Sequence, residues 1–135
     1  MPHIIVEYSA NLESDIDFEG LVAALHEKAV SIDALPTGGL RVRAARRDLF
    51  KVGDGDPDNG FINVLLRIAK GRPVELQKEV GQMLFGVVTD YVRKVYDRRA
   101  MALSFEIQEI NPETRWNQGN IREYIAERAA GKEST

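Results

Sequence analysis

Apolar positions in this chain recur with two different periods, and the places where the period changes delimit its elements. Residues 3–8, His-Ile-Ile-Val-Glu-Tyr, are rich in β-branched and aromatic side chains and predict a strand. Residues 11–17 are polar, with Ser14, Asp15 and Asp17 as candidate caps, and Phe18, Leu21, Val22, Leu25 and Ala29 then recur at helical spacing to about Ser31. Pro36 and Gly38-Gly39 break the chain before Leu40-Arg41-Val42-Arg43-Ala44, where apolar and basic residues alternate with period two. A turn-forming run from Gly53 to Gly60 leads into the strand Phe61–Ala69. Lys70-Gly71-Arg72-Pro73 follows, with Pro73 suited to the first position of a helix. That helix carries the clearest periodicity in the sequence, the stripe Leu76, Val80, Met83, Leu84, Val87, Val88, Tyr91, Val92 and Val95. Residues 101–110 alternate as a strand, Asn111-Pro112 ends it, and Ile121, Tyr124 and Ile125 predict a closing helix.

This order contains one strand–helix–strand unit twice, over residues 2–47 and 61–110, followed by a C-terminal segment 111–135. Aligning Pro2 with Ile62 matches the first strands, and Leu40 then falls on Leu103 after a three-residue difference near the helices. Strands within a unit are expected to be parallel, joined by a right-handed crossover. The fold class is α/β (α+β in some schemes): two tandem β-α-β units in a four-stranded mixed sheet, both helices on one face, with a short C-terminal helix. The strand from Phe61 to Ile68 is apolar on both sides, a pattern that calls for burial of both faces. A single domain of 135 residues has little left to cover the second face, so a homo-oligomer is expected.

Composition narrows the partners. A net charge of −3 gives no reason to expect nucleic acid or an anionic membrane, and the absence of cysteine removes disulfides, thiolate catalysis and cysteine-based metal sites. The lack of cysteine fits the cytoplasm; no apolar run reaches membrane-spanning length, and the N-terminus shows no basic-then-apolar leader.

Pro2 is the residue with the most chemical potential. A small second residue usually permits removal of the initiator methionine, leaving a free secondary amine at the head of the first strand. A backbone amine titrates at about 7.7–8.0, and proline's ring amine is intrinsically more basic. Burial and neighbouring cations lower that value until the amine can act as a general base near neutrality. On position alone, Pro2 is also simply a residue found after many start codons. An acylated proline nitrogen is no base, so a chain that keeps Met1 is expected to lack proline-dependent activity.

Pro2-His3-Ile4-Ile5-Val6-Glu7-Tyr8-Ser9, Gly39-Leu40-Arg41-Val42-Arg43, and Gly71-Arg72 with Glu75 occur here in order. Met83-Leu84-Phe85 and Ala102-Leu103-Ser104-Phe105-Glu106-Ile107 follow. Together these stretches resemble the tautomerase superfamily, and most closely the 5-carboxymethyl-2-hydroxymuconate Δ-isomerases, over roughly residues 2–125. The resemblance implies a homotrimer with the sheets inside and the helices outside. It also implies cofactor-independent tautomerisation of a dienol polycarboxylate from homoprotocatechuate breakdown, with Pro2 moving the proton. Arg41 falls where the related 4-oxalocrotonate tautomerases carry a strand arginine, and Arg72 where they carry one ten residues after the proline. Arginine suits the task, because its planar fork binds a carboxylate through two parallel hydrogen bonds. One arginine would anchor a remote carboxylate and the other would stabilise the developing enolate; the sequence leaves the assignment open. Leu12, Ile62 and Ser104 stand where the other unit has Arg72, Pro2 and Arg41, so a complete site draws on both units and a trimer would hold three.

Trp116 lies where relatives carry an aromatic near the active-site mouth, and a packing role competes with that reading. His3 and His26 lack metal-ligand spacing and read as structural or surface residues. Asp54, Asp56 and Asp58 resemble a calcium loop, but Gly60 comes one place late and Leu65 replaces the chelating glutamate, leaving a polar turn. The same turn, with Gly53 and Gly55, is too acidic for phosphate, and the Arg41, Arg43, Arg46, Arg47 run has no interleaved aromatic to suggest nucleic acid. Two other functions remain open: a decarboxylase or hydratase of the same superfamily, for which Glu7 or Glu106 would have to enter the pocket, and a trimeric protein that binds ligand without turnover.

Overall fold

The computed structural model describes residues 1–133. Its elements are β1 (His3–Ser9), α1 (Phe18–Val30), β2 (Arg41–Arg47), β3 (Gly60–Ala69), α2 (Val74–Tyr96), β4 (Met101–Ile110) and α3 (Ile121–Glu133). Short 3-10 turns at Ala10–Leu12, Thr37–Gly39 and Pro112–Thr114 join them. The sheet order is β2-β1-β3-β4. Each unit contributes a parallel pair, β1 with β2 and β3 with β4, and the units meet along the antiparallel β1–β3 pair at the centre.

Alternation decides the faces. Ile4, Val6 and Tyr8 of β1 and Ile62, Val64, Leu66 and Ile68 of β3 are buried against the helices. Leu21 and Leu25 of α1 and Val80, Leu84, Val88 and Val92 of α2 cover them. The Tyr8 and Phe18 rings stack at 3.6 Å and the Tyr91 hydroxyl donates to the Asp17 carbonyl at 2.7 Å, fixing the start of α1. On the other face, His3, Ile5, Phe61 and Leu65 are only half-buried, so the continuous apolar run of β3 is covered on one side alone within this chain.

Several boundaries differ from the sequence expectation. Pro73 caps α2 rather than opening it: its ψ is 148° and its carbonyl already accepts from Gln77 N at 3.1 Å. The α2 stripe is narrower than its periodicity, with Met83 and Tyr91 each 39% exposed at its margin. Ile121, Tyr124 and Ile125 of α3 face solvent, so that helix adds no core.

The unit correspondence is visible in the register. His3 pairs with Arg41, and Asn63 pairs with Ser104, the positions that the Pro2–Ile62 alignment makes equivalent. In the second unit the Ser104 hydroxyl donates to Asn63 Oδ1 at 2.8 Å. Leu12 is fully buried and packs so closely on Gly60 that a Cβ there would lie 2.6 Å from it. The second unit's strand head is thus plugged by apolar packing.

Candidate functional site

The N-terminal end of β1 opens into a cleft of about 610 Å³, with Met1, His3, Arg41, Arg67, Arg115 and Trp116 on its walls. Three strands and one loop build it. β1 brings the N-terminus and His3. The parallel register sets Arg41 beside His3 on one flank, and the antiparallel register sets Arg67 beside it on the other. After Ile110, the short turn at Pro112–Thr114 leads the chain back so that Arg115 and Trp116 line the cleft, with Asn111 Oδ1 accepting from Glu113 N at 3.0 Å to hold that turn.

The ladder continues one residue past β1, where Arg41 N donates to the Pro2 carbonyl at 3.0 Å, and Pro2 is buried. Met1 precedes it here, so the free amine is that of Met1 and the Pro2 nitrogen is an amide. The Met1 side chain lies against Gly39, where a Cβ would come within 2.9 Å of its Cγ, and its sulfur accepts from Arg41 Nη1 at 3.5 Å. Arg41 also donates to the Gly39 carbonyl at 3.3 Å and has no carboxylate partner. The Met1 amine is held below its ordinary pKa, first by desolvation and then by the charges of Arg115, Arg72, Arg122 and Arg41. Those cations surround the point at which a Pro2 amine would titrate.

Arg72 approaches from the helix side. Gly71, at φ 123°, makes the turn out of β3 that a side chain would strain. Arg72 then donates from Nε and Nη2 to the Ala34 carbonyl at 3.0 and 2.7 Å, and from Nη1 to the Ala69 carbonyl at 3.1 Å. One full edge of its fork is spent on backbone. It acts on the N-terminus as a fixed charge, not as a side chain free to reach outward. Trp116 is 85% exposed at the rim.

The sequence reading set His3 aside as a structural or surface residue and gave no role to Arg67, Arg115 or Arg122. His3 is pushed down to about 4, chiefly by desolvation and then by Arg43, Arg41, Arg67 and Arg115. It is therefore neutral at pH 7. Arg43 Nη1 lies 3.2 Å from its Nδ1, and an arginine only donates, so Nδ1 accepts and the proton sits on Nε2. Strand alternation was the available signal, since His3, Arg41 and Arg67 become neighbours once the strand order is known.

Ion pairing elsewhere sets this cleft apart. Arg46, Arg47, Arg93, Arg98 and Arg99 each contact a carboxylate. Among the described residues, Arg41, Arg67, Arg115 and Arg122 contact none. Unpaired guanidinium groups converging on a half-buried amine form a site for a ligand with several negative charges. A larger recess of about 780 Å³ lies between β1 and α1, but Glu13, Asp15, Asp17 and Glu19 line it and would repel such a ligand.

Comparisons with known proteins identify the family and the fold. The family model described as 5-carboxymethyl-2-hydroxymuconate isomerase matches residues 2–125. A protein of Escherichia coli named 5-carboxymethyl-2-hydroxymuconate Delta-isomerase is 33% identical over 121 residues, 90% of this chain and 96% of that one. The crystal structure of a 5-carboxymethyl-2-hydroxymuconate isomerase from Deinococcus radiodurans R1 is 32% identical and superposes with a TM-score of 0.85, covering 92% of this chain and 93% of the other. Native fused 4-OT shares the fold at a TM-score of 0.63 and 18% identity, over 90% of this chain and 97% of that one. The match over nearly the whole length, with the N-terminal strand and its arginines inside it, places this chain in the 5-carboxymethyl-2-hydroxymuconate isomerase family.

Proposed function

We propose that this isomerase ketonises 5-carboxymethyl-2-hydroxymuconate to 5-oxopent-3-ene-1,2,5-tricarboxylate, with the secondary amine of Pro2, freed by removal of Met1, as the base. The reaction moves one proton from the 2-hydroxyl oxygen to the carbon that bears the carboxymethyl group, as the diene becomes a ketone and one C=C bond, and transfers no net electrons. A neutral amine is required to accept the enol proton, and a protonated one to return it to carbon. Partial burial and the surrounding arginines lower the pKa of the amine at this end of the chain, which favours the neutral form that accepts the proton. The convergence of carboxylate-free arginines on the N-terminus is the observation that carries this reading.

The arginines divide the work. Arg41, next to Pro2 in the ladder and bonded only to Gly39 and Met1, becomes available to a substrate carboxylate once Met1 is gone. Arg72, held by the Ala34 and Ala69 carbonyls, supplies charge to the amine and to the developing enolate without moving. Trp116 closes over the bound acid. The half-buried face bearing Ile5, Phe61 and Leu65 supports a homotrimer in which neighbouring sheets cover one another. Among the described residues no helix is long and apolar enough to cross a membrane, and a cytoplasmic role in homoprotocatechuate degradation fits the substrate.

A hydratase would need a carboxylate to activate water. Glu7 is bonded to Arg47 at 2.7 Å, and neither it nor Glu106 lines the cleft. Steady-state kinetics of ketonisation test the proposal. Pro2→Ala should lower kcat by about 10²–10⁴-fold, and Arg41→Ala should raise KM by roughly 10–100-fold. Wild-type rates in both variants would overturn it.

A further inference from the structure

Arg67 and Arg115 have no place in the division of labour above, yet both stand in the cleft without a partner. Arg67 comes from the far end of β3 and Arg115 from the loop after β4, so two separate elements deliver guanidinium groups to the same wall. Neither side chain makes a hydrogen bond or ion pair among the described residues, in a chain where acidic residues outnumber basic ones by 21 to 18. Their fields overlap: both reach His3, and Arg115 also reaches the N-terminal amine. Arg41 lies on the opposite flank of His3, one strand spacing away on each side, about 4.8 Å per strand. Two cationic positions are thus separated by the width of two strands, roughly 10 Å. That span suits an extended acid whose carboxylates lie several carbons apart.

We propose that Arg67 and Arg115 form a second carboxylate subsite that grips the carboxymethyl arm of the substrate and sets the preference for a tricarboxylate over a dicarboxylate. The subsite rests on the isomerase reading for the identity of the arm, but the anion recognition itself does not. A neutral His3 completes the floor between the subsites and adds no negative charge. The muconate backbone carries two carboxylates and the carboxymethyl group adds the third, so an enzyme lacking this subsite would handle 2-hydroxymuconate equally well.

The ratio of kcat/KM for 5-carboxymethyl-2-hydroxymuconate to that for 2-hydroxymuconate tests the subsite in wild type, Arg67→Gln and Arg115→Gln, with Arg93→Gln as a control on the outer face of α2. The ratio should fall by about 10-fold or more in each cleft variant, the value of a charge-assisted bond to an arginine. It should stay unchanged in Arg93→Gln. A ratio equal to wild type in both cleft variants would overturn the proposal. Calorimetric titration with tricarballylate and adipate separates the two readings. If wild type turns over neither muconate but binds tricarballylate more tightly than adipate, and both variants lose that difference, the subsite stands and the isomerase reading falls. If wild type shows no such difference, the subsite falls whatever the kinetics.

Discussion

His3 and Arg67 lie directly opposite each other across the antiparallel β1–β3 ladder, and this pairing brings the second unit's charge to the first unit's N-terminus. Arg41 flanks His3 from the parallel side. One imidazole therefore sits between two cations, and protonating it would place a third charge among them. Burial lowers its pKa most, the charges of Arg43, Arg41, Arg67 and Arg115 lower it further, and His3 is thereby a reporter of the cleft.

Stability should follow the His3 titration. The imidazole titrates at about 4 when folded and at its usual 6.5 when unfolded. Between these values the unfolded chain holds more protons, so stability rises with pH. The contribution is complete above 6.5 and is lost as pH falls toward 4. Solvent screening of this half-buried side chain keeps it to about 1 kcal/mol or less. Urea midpoints at pH 7 and pH 5 should differ more in wild type than in His3→Gln; equal differences would remove His3 from the balance.

Arg72 is both pin and charge, and two substitutions separate the roles. Arg72→Ala loses its three bonds to Ala34 and Ala69 and should cost about 1–3 kcal/mol in urea denaturation, together with most of the activity. Arg72→Lys keeps the charge without the fork, and should retain more activity than Arg72→Ala while recovering little stability. Equal activity in the two variants would argue against the electrostatic role.

Arg99 should matter to stability alone. It donates to Asp15 Oδ2 at 2.8 Å and to the carbonyls of Asn11 and Asp58 at 3.3 and 2.8 Å, tying the turn after β1 to the loop before β3. Its side chain is 17% exposed, so Arg99→Ala should cost about 2–3 kcal/mol, somewhat less than breaking a fully buried pair. Turnover per folded molecule should be unchanged, as shown by activity at a temperature well below the melting transition.

Element order and the doubled unit are legible in the sequence because period-two and helical stripes alternate cleanly and Pro2 marks its own position. The site is less so. Arg41 and Arg72 can be named from their local motifs, but no local pattern shows that the chain at Ala34 folds back to occupy one edge of the Arg72 fork. Arg67 reads as a charge interrupting an apolar strand until the β1–β3 pairing sets it beside His3. Arg115 depends on how the chain reverses after Pro112, a tertiary matter that leaves no periodicity behind.

The most direct test of the central claim is an ultraviolet assay of 5-carboxymethyl-2-hydroxymuconate ketonisation on two forms of the same chain, one with Met1 removed and one with it retained, each verified by intact mass. The form beginning at Pro2 should turn over substrate at least about 100-fold faster than the form that keeps Met1, as expected for loss of a general base. Equal turnover by the two forms would contradict a mechanism based on the proline amine.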